Sequence, residues 1–227
     1  MPKPGCRSLF GCCALLALAL VPASGADTPA KTDTKATTLI ATYRGTTNVA
    51  ERLKALRGLE AVPGSVADRF LEEEFSQLDA TREPGRQLAG GILQIWATRP
   101  NRDVLPYLIY EGLFHEDAEV VRACAGGINR RPDVARALMS TGRAAPGAIL
   151  GQGLATDLLQ QLEARPEVVP ALERVLVIWT GHRRDGYRPE GRLDRPYKDA
   201  ERAAALAFWK AWYEGRFPKQ ARPTPKP

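Results

Sequence analysis

Histidine occurs only at His115 and His182, and cysteine at Cys6, Cys12, Cys13 and Cys124. Beyond residue 13, Cys124 stands alone. That stretch can close no disulfide within itself, and a zinc site built from His and Cys lacks ligands. No nucleophile elbow, Walker motif or H-E-x-x-H is present. These absences exclude the familiar catalytic constellations, and no cofactor motif takes their place. The apolar run Leu9–Val21 is too short to span a bilayer comfortably, since a transmembrane helix needs about 20 residues. The net charge of +6 is mild. It permits weak attraction to polyanions without arguing for nucleic acid.

The amino terminus carries an address. Lys3 and Arg7 precede the apolar run, and Ala23-Ser24-Gly25-Ala26 follows it. Residues 1–26 read as a secretory signal peptide, cut after Gly25 or Ala26. A lipoprotein box at Leu9-Phe10-Gly11-Cys12 is the rival, but few residues precede Cys12 and the apolar run continues past it. Cleavage removes Lys3 and Arg7 and lowers the net charge from +6 to +4. The expected location is periplasmic, extracellular or envelope-associated, with no transmembrane span after cleavage. Export also argues against a nucleic-acid role.

The chain is organised around Val104–Ile128. Val104, Leu105, Leu108, Ile109, Gly112 and Leu113 share one helical face. Asp103 is the expected N-cap, which places Pro106 in the first turn, where its missing N–H is harmless. Asp117 is expected to cap a second helix with the stripe Val120, Val121, Cys124, Gly127 and Ile128. Cys124 on that stripe reads as a small buried hydrophobe.

Such a pair cannot bury itself alone, and pieces of it recur. Ala89-Gly90-Gly91-Ile92 matches Ala125-Gly126-Gly127-Ile128, with Arg86 and Arg122 in step. Val168-Val169-Pro170-Ala171-Leu172 echoes Val104-Leu105-Pro106-Tyr107-Leu108, and Asp199-Ala200-Glu201 echoes Asp117-Ala118-Glu119. The order V-x-P-x-L helix, then D-A-E helix, resembles a HEAT-type α-solenoid repeat over residues 47–214. In that family an Arg usually follows the Val of the second helix, a position that is Val121 here, with Arg122 one place later. The resemblance implies an all-α fold, a short solenoid of antiparallel helix pairs. The ending Phe208–Pro218 is similar to endings of helical-repeat segments in exported planctomycete proteins, some of which carry c-type haem. No C-x-x-C-H occurs in this chain, so the haem is not implied.

Around that frame, residues 27–46 read as a linker and lead-in, 47–215 as the helical domain, and 216–227 as a basic, Pro-rich disordered tail. Helices are expected near 47–60, 65–78 (capped by Ser65), 86–98, 132–139, 154–164, 168–180 and 199–214. Glu72, Glu73 and Glu74 read as a solvated face. Gly90, Gly91, Gly126 and Gly127 each cost about 1 kcal/mol in a helix, and close approach of a neighbouring helix would offset that. Residues 140–153 read as a Gly-rich loop, and Trp209 and Trp212 as a cap on the end of the core.

Pairing the two V-x-P-x-L segments leaves residues 181–198 inserted in the second turn. Long loops of this kind are often functional and in repeat proteins collect on the binding face. The candidate binding residues are Arg183, Arg184, Tyr187, Arg188, Arg192, Arg195 and Tyr197, with Asp185, Glu190 and Asp194 as internal counter-charges. Arginine forks clamp carboxylate, sulfate or phosphate, and Tyr and Arg anchor protein interfaces. The expectation is a non-catalytic exported scaffold for a protein partner. A binder of anionic envelope polymers is the alternative. An enzyme using His182, Asp185 and the loop arginines is the third reading.

Overall fold

The computed structural model describes residues 29–99, 103–141 and 151–217. The expected signal peptide (1–26), the middle of the Gly-rich loop (142–150) and the segment 218–227 lie outside these residues. Among the described residues the fold is all-α, without strands. No helix among them is long and apolar enough to cross a membrane.

Helix α1 (Pro29–Arg44) stands where a linker over 27–46 is expected. Ala36, Ile40 and Tyr43 fall on one helical edge and are buried, and Leu39 packs against the core beside them. Tyr43 meets Phe70 edge-on at 5.3 Å and donates to Glu74 Oε1 at 2.5 Å. Arg52 stacks over Tyr43 at 4.1 Å and reaches Glu74 at 3.5 Å. Glu72 and Glu73 are exposed, whereas Glu74 is drawn inward by these partners.

Helices α2 (Val49–Glu60), α3 (Ser65–Gln77) and α4 (Gly85–Thr98) follow. Asn48 caps α2 by accepting from the Ala50 and Glu51 amides at 2.9 and 3.3 Å. Ser65 is the first residue of α3 rather than its cap, which is Gly64. Helix α5 (Leu105–Tyr110) is capped by Val104 instead of Asp103, and Pro106 lies in its first turn. A short 3₁₀ turn, Gly112–Phe114, leads to α6 (Ala118–Asn129), where Asp117 accepts from the Glu119 amide at 2.8 Å. Helices α7 (Pro132–Thr141), α8 (Gln152–Ala164), α9 (Val169–Thr180) and α10 (Asp199–Arg216) complete the chain. Arg216 is thus helical and Phe217 is buried, so the folded part runs past the expected boundary at 215.

Helix α4 packs between α2 and α6, and α6 between α4 and α9. Helix α1 covers α2 and α3, α5 lies along α6, α7 against α9, and α10 against α8. Leu56, Leu88, Ile92, Trp96, Val121, Ile128, Leu172 and Leu176 fill the space between them. Full burial of such side chains contributes about 1.5–3 kcal/mol each. Helix α5 packs on the helix that follows it, α6, whereas α9 packs on α6, α7 and α8 and α10 packs on α8, so α9 and α10 do not pair as the V-x-P-x-L match implies. The match reflects a shared Pro-containing first turn with similar apolar spacing.

Small residues permit the closest contacts. A Cβ on Gly127 would lie 2.8 Å from the Ala97 carbonyl oxygen, and one on Gly112 would lie 2.3 Å from Cys124 Sγ. Gly90 faces His115 and Val120, and Gly91 faces Leu53. Gly126 has nothing near it, so close approach does not explain that glycine.

Arginines tie the helix ends together. Arg99 Nη2 donates to the Leu59 carbonyl at 2.7 Å, Arg130 Nη1 to Ala97 at 2.6 Å and Arg136 Nε to Ile178 at 2.9 Å. Each bond satisfies a carbonyl that the C-terminal turn of a neighbouring helix leaves without an intrahelical donor. Arg165 does the same for the turn before α6, donating to the His115 and Glu116 carbonyls at 2.6 and 2.7 Å.

Candidate functional site

Glu173 and Arg174 are the only charged residues in α9, VPALERVLVIWT. The helix is buried along most of its length, so Glu173 is carried into the core, where it is 0% exposed. A buried carboxylate needs partners. Arg184 Nε and Nη2 donate to it at 2.8 and 3.3 Å. Tyr197 Oη donates at 2.6 Å and Trp209 Nε1 at 3.4 Å. Two of these partners belong to the segment 181–198 and one to α10. The carboxylate therefore pins both ends of that segment from inside.

The backbone cooperates. Gly181, with φ +74°, ends α9 in the left-handed conformation, its N–H bonding the Val177 carbonyl. Residues 181–198 contain no helix or strand. Arg174 Nη2 holds the middle of the segment through the Gly191 carbonyl at 2.5 Å. Short turns close within it, from the Tyr187 amide to Arg184 O and from Gly191 to Arg188 O.

The electrostatics follow from this burial. Burial disfavours the Arg184 charge, but the Glu173 hydrogen bond and charge outweigh it and raise the guanidinium pKa. Arg184 also lies over the Tyr197 ring at 5.2 Å and 3.8 Å from Glu201. Burial first, then the Glu173 hydrogen bond, push the Tyr197 phenol above its ordinary range, so it remains a neutral donor. Tyr187 is shifted upward by burial as well, against the opposing effect of Arg174.

The candidate residues divide into two groups. Arg184 and Tyr197 face inward and hold the segment in place; Arg184 is only 8% exposed. Tyr187, Arg188, Arg192 and Arg195 line a cleft of about 450 Å³, and Tyr197 contributes to its wall. Arg183 is exposed and does not line it. Arg192 is engaged by Asp194 at 2.9 and 2.5 Å, an exposed bidentate pair that holds the Asp194 carboxyl below its ordinary range. Arg188 and Arg195 have no acidic partner among the described residues.

Sequence reasoning did not assign Glu173, Arg174, Lys198 or Glu201 to the site. Arg174 and Lys198 add two cations to the cleft, and among the described residues Glu201 is the only acid lining it. The available signal was the charged pair Glu173-Arg174 inside an otherwise apolar helix. His182 lines a different cavity, with Ser140, Trp179 and Trp212, and Asp185 lines neither. The structure does not bring that acid/base pair into one pocket. Trp209 is fully buried and acts as a donor to Glu173, while Trp212 is half-buried between Trp179 and Trp209 at ring distances of 6.2 and 5.8 Å.

The chemistry of the cleft is that of anion recognition: guanidinium forks, an ammonium and phenol walls held by a rigid helix. Comparison with known proteins returned no match, whether to a family model, a curated protein or a solved structure.

Proposed function

We propose that this protein is a non-catalytic exported scaffold that binds an acidic segment of a protein partner through the cleft beneath residues 181–198. The observation that carries this reading is the convergence of Arg188, Arg195 and Lys198 on one cleft whose wall is anchored internally by Glu173. Pre-organisation of the loop lowers the entropy that binding must overcome. Arginine and tyrosine supply interface anchors. The helix pairs extend this reading to a short HEAT-like solenoid, supported by the succession of α2, α4, α6 and α9 as packing neighbours.

The test is capture of partners from an envelope extract by the wild-type protein and by an Arg188→Ala/Arg192→Ala/Arg195→Ala variant. Arg184 is left intact because its loss would disturb the fold. A protein partner bound by the wild type and weakened about tenfold or more in the variant supports the proposal. Equal capture by both contradicts it.

An anionic envelope polymer is the second reading, favoured by the same excess of cations over acids in the cleft. Capture of a polysaccharide, released steeply by moderate salt as exposed contacts are screened, decides for it.

A further inference from the structure

A second concavity, of about 650 Å³, lies between α5 and α8 on residues that the basic cleft does not use. Its chemistry is the reverse. Tyr107, Tyr110, Phe114 and Pro106 provide aromatic and apolar wall, and among the described residues the charged ones lining it, Glu111 and Asp157, are both acidic. Neither acid has an ion-pair partner among the described residues. Tyr107 and Tyr110 are the large hydrophobic side chains left most open, at 41% and 39%. Tyr107 packs against Trp96 at 5.0 Å and Phe75 at 5.4 Å, which fixes its place in the wall.

An aromatic-lined groove with an acidic rim suits an extended, proline-rich, basic segment. Proline rings pack on aromatic faces, and the polyproline conformation loses little entropy on docking. This chain carries such a segment. Residues 218–227, PKQARPTPKP, contain four prolines, three cations and no acid. The helix that precedes them ends beside the groove. Phe217 shares a cavity with Ser140 and Trp179. Ser140 follows Met139 of the groove wall, and Trp179 Cζ2 lies 2.6 Å from where a Cβ on Gly151 of that wall would stand. Ten residues at about 3.1 Å each reach roughly 30 Å, enough to run along a groove of this size.

We propose that the groove formed by Tyr107, Tyr110, Phe114, Glu111 and Asp157 is a proline-rich peptide site whose occupant is the chain's own segment 218–227. Docking would shield the Lys219–Gln220 bond, the one trypsin-sensitive bond of the segment, because its other basic residues precede proline.

Trypsin cleavage of that bond, followed by mass spectrometry in the full chain, tests this. A Glu111→Lys/Asp157→Lys variant changes exposed side chains only and should speed cleavage about tenfold, as expected when an ordered segment is released. A Pro218→Ser/Pro225→Ser variant, which creates no new trypsin site, should do the same without touching the helices, so misfolding of the first variant cannot decide the matter. Unchanged rates in both variants overturn the proposal. Protection that grows with protein concentration places a second copy's segment in the groove and also overturns it. Protection lost only when residues 142–150 are replaced by a Gly-Ser run assigns the groove to that stretch and overturns it likewise.

Discussion

Helices α2, α4 and α6 are held to one another in a different way from α9, the loop 181–198 and α10. The first set interlocks through Leu56, Leu88, Ile92, Val121 and glycines that admit close contact, with arginines closing the helix ends. The second set converges on one buried carboxylate, Glu173, with three donor residues, two from the loop and one from α10. Apolar packing spreads its stabilisation over many contacts. A buried ionic centre concentrates it, because any partner removed leaves a charge without compensation. The concentrated arrangement also positions a loop that has no secondary structure of its own, and that loop bears the candidate site.

The largest effect is expected from Arg184→Ala. It strands the Glu173 carboxylate and should cost about 3–5 kcal/mol in urea denaturation, whereas Glu173→Leu/Arg184→Leu together should recover much of that loss. A smaller effect is expected in the first set from Gly112→Ala, which forces Cys124 aside and should cost about 1–3 kcal/mol by the same measurement. Arg130→Ala, which leaves the Ala97 carbonyl without its guanidinium partner, should cost about 1 kcal/mol.

Cys124 reports on the apolar packing of the first set. Burial pushes its thiol up to about 12, so the folded protein should react negligibly with a thiolate-directed disulfide reagent at pH 8. Reaction should become fast in urea. The sign for stability follows. The unfolded thiol ionises near pH 8.5 and the folded one does not, so this group's contribution is present below that pH and declines as pH rises above it. A Cys124→Ala variant should show a shallower decline over the same range.

Much of the first set was legible in the sequence. Leu88, Ile92, Ile95 and Trp96 repeat at helical spacing, and Asp117 caps where its position before an apolar stripe implies. Helix α1 was not legible because Ala36, Leu39, Ile40 and Tyr43 are too few to mark a face among polar neighbours, and Tyr43 owes its burial to Phe70 and Glu74 in a distant helix. The stretch 181–198 could be marked as rich in Arg and Tyr, but not divided into inward and outward members. Arg183 and Arg184 are adjacent and chemically identical. Only the placement of Glu173, set by how α9 packs, makes one an interior partner and leaves the other in solvent. Of the other cleft cations, Arg174 lies outside the loop in α9 and Lys198 is the loop's last residue, and composition alone does not connect them.

The most direct test of internal anchoring is hydrogen exchange, resolved by mass spectrometry, in the wild type and in Glu173→Gln. The anchored loop predicts that the Tyr187 and Gly191 amides are protected in the wild type. In the variant they should approach the unprotected rate while α2, α4 and α6 keep their protection. Loop amides that exchange freely in the wild type, or that stay equally protected in the variant, would contradict the account.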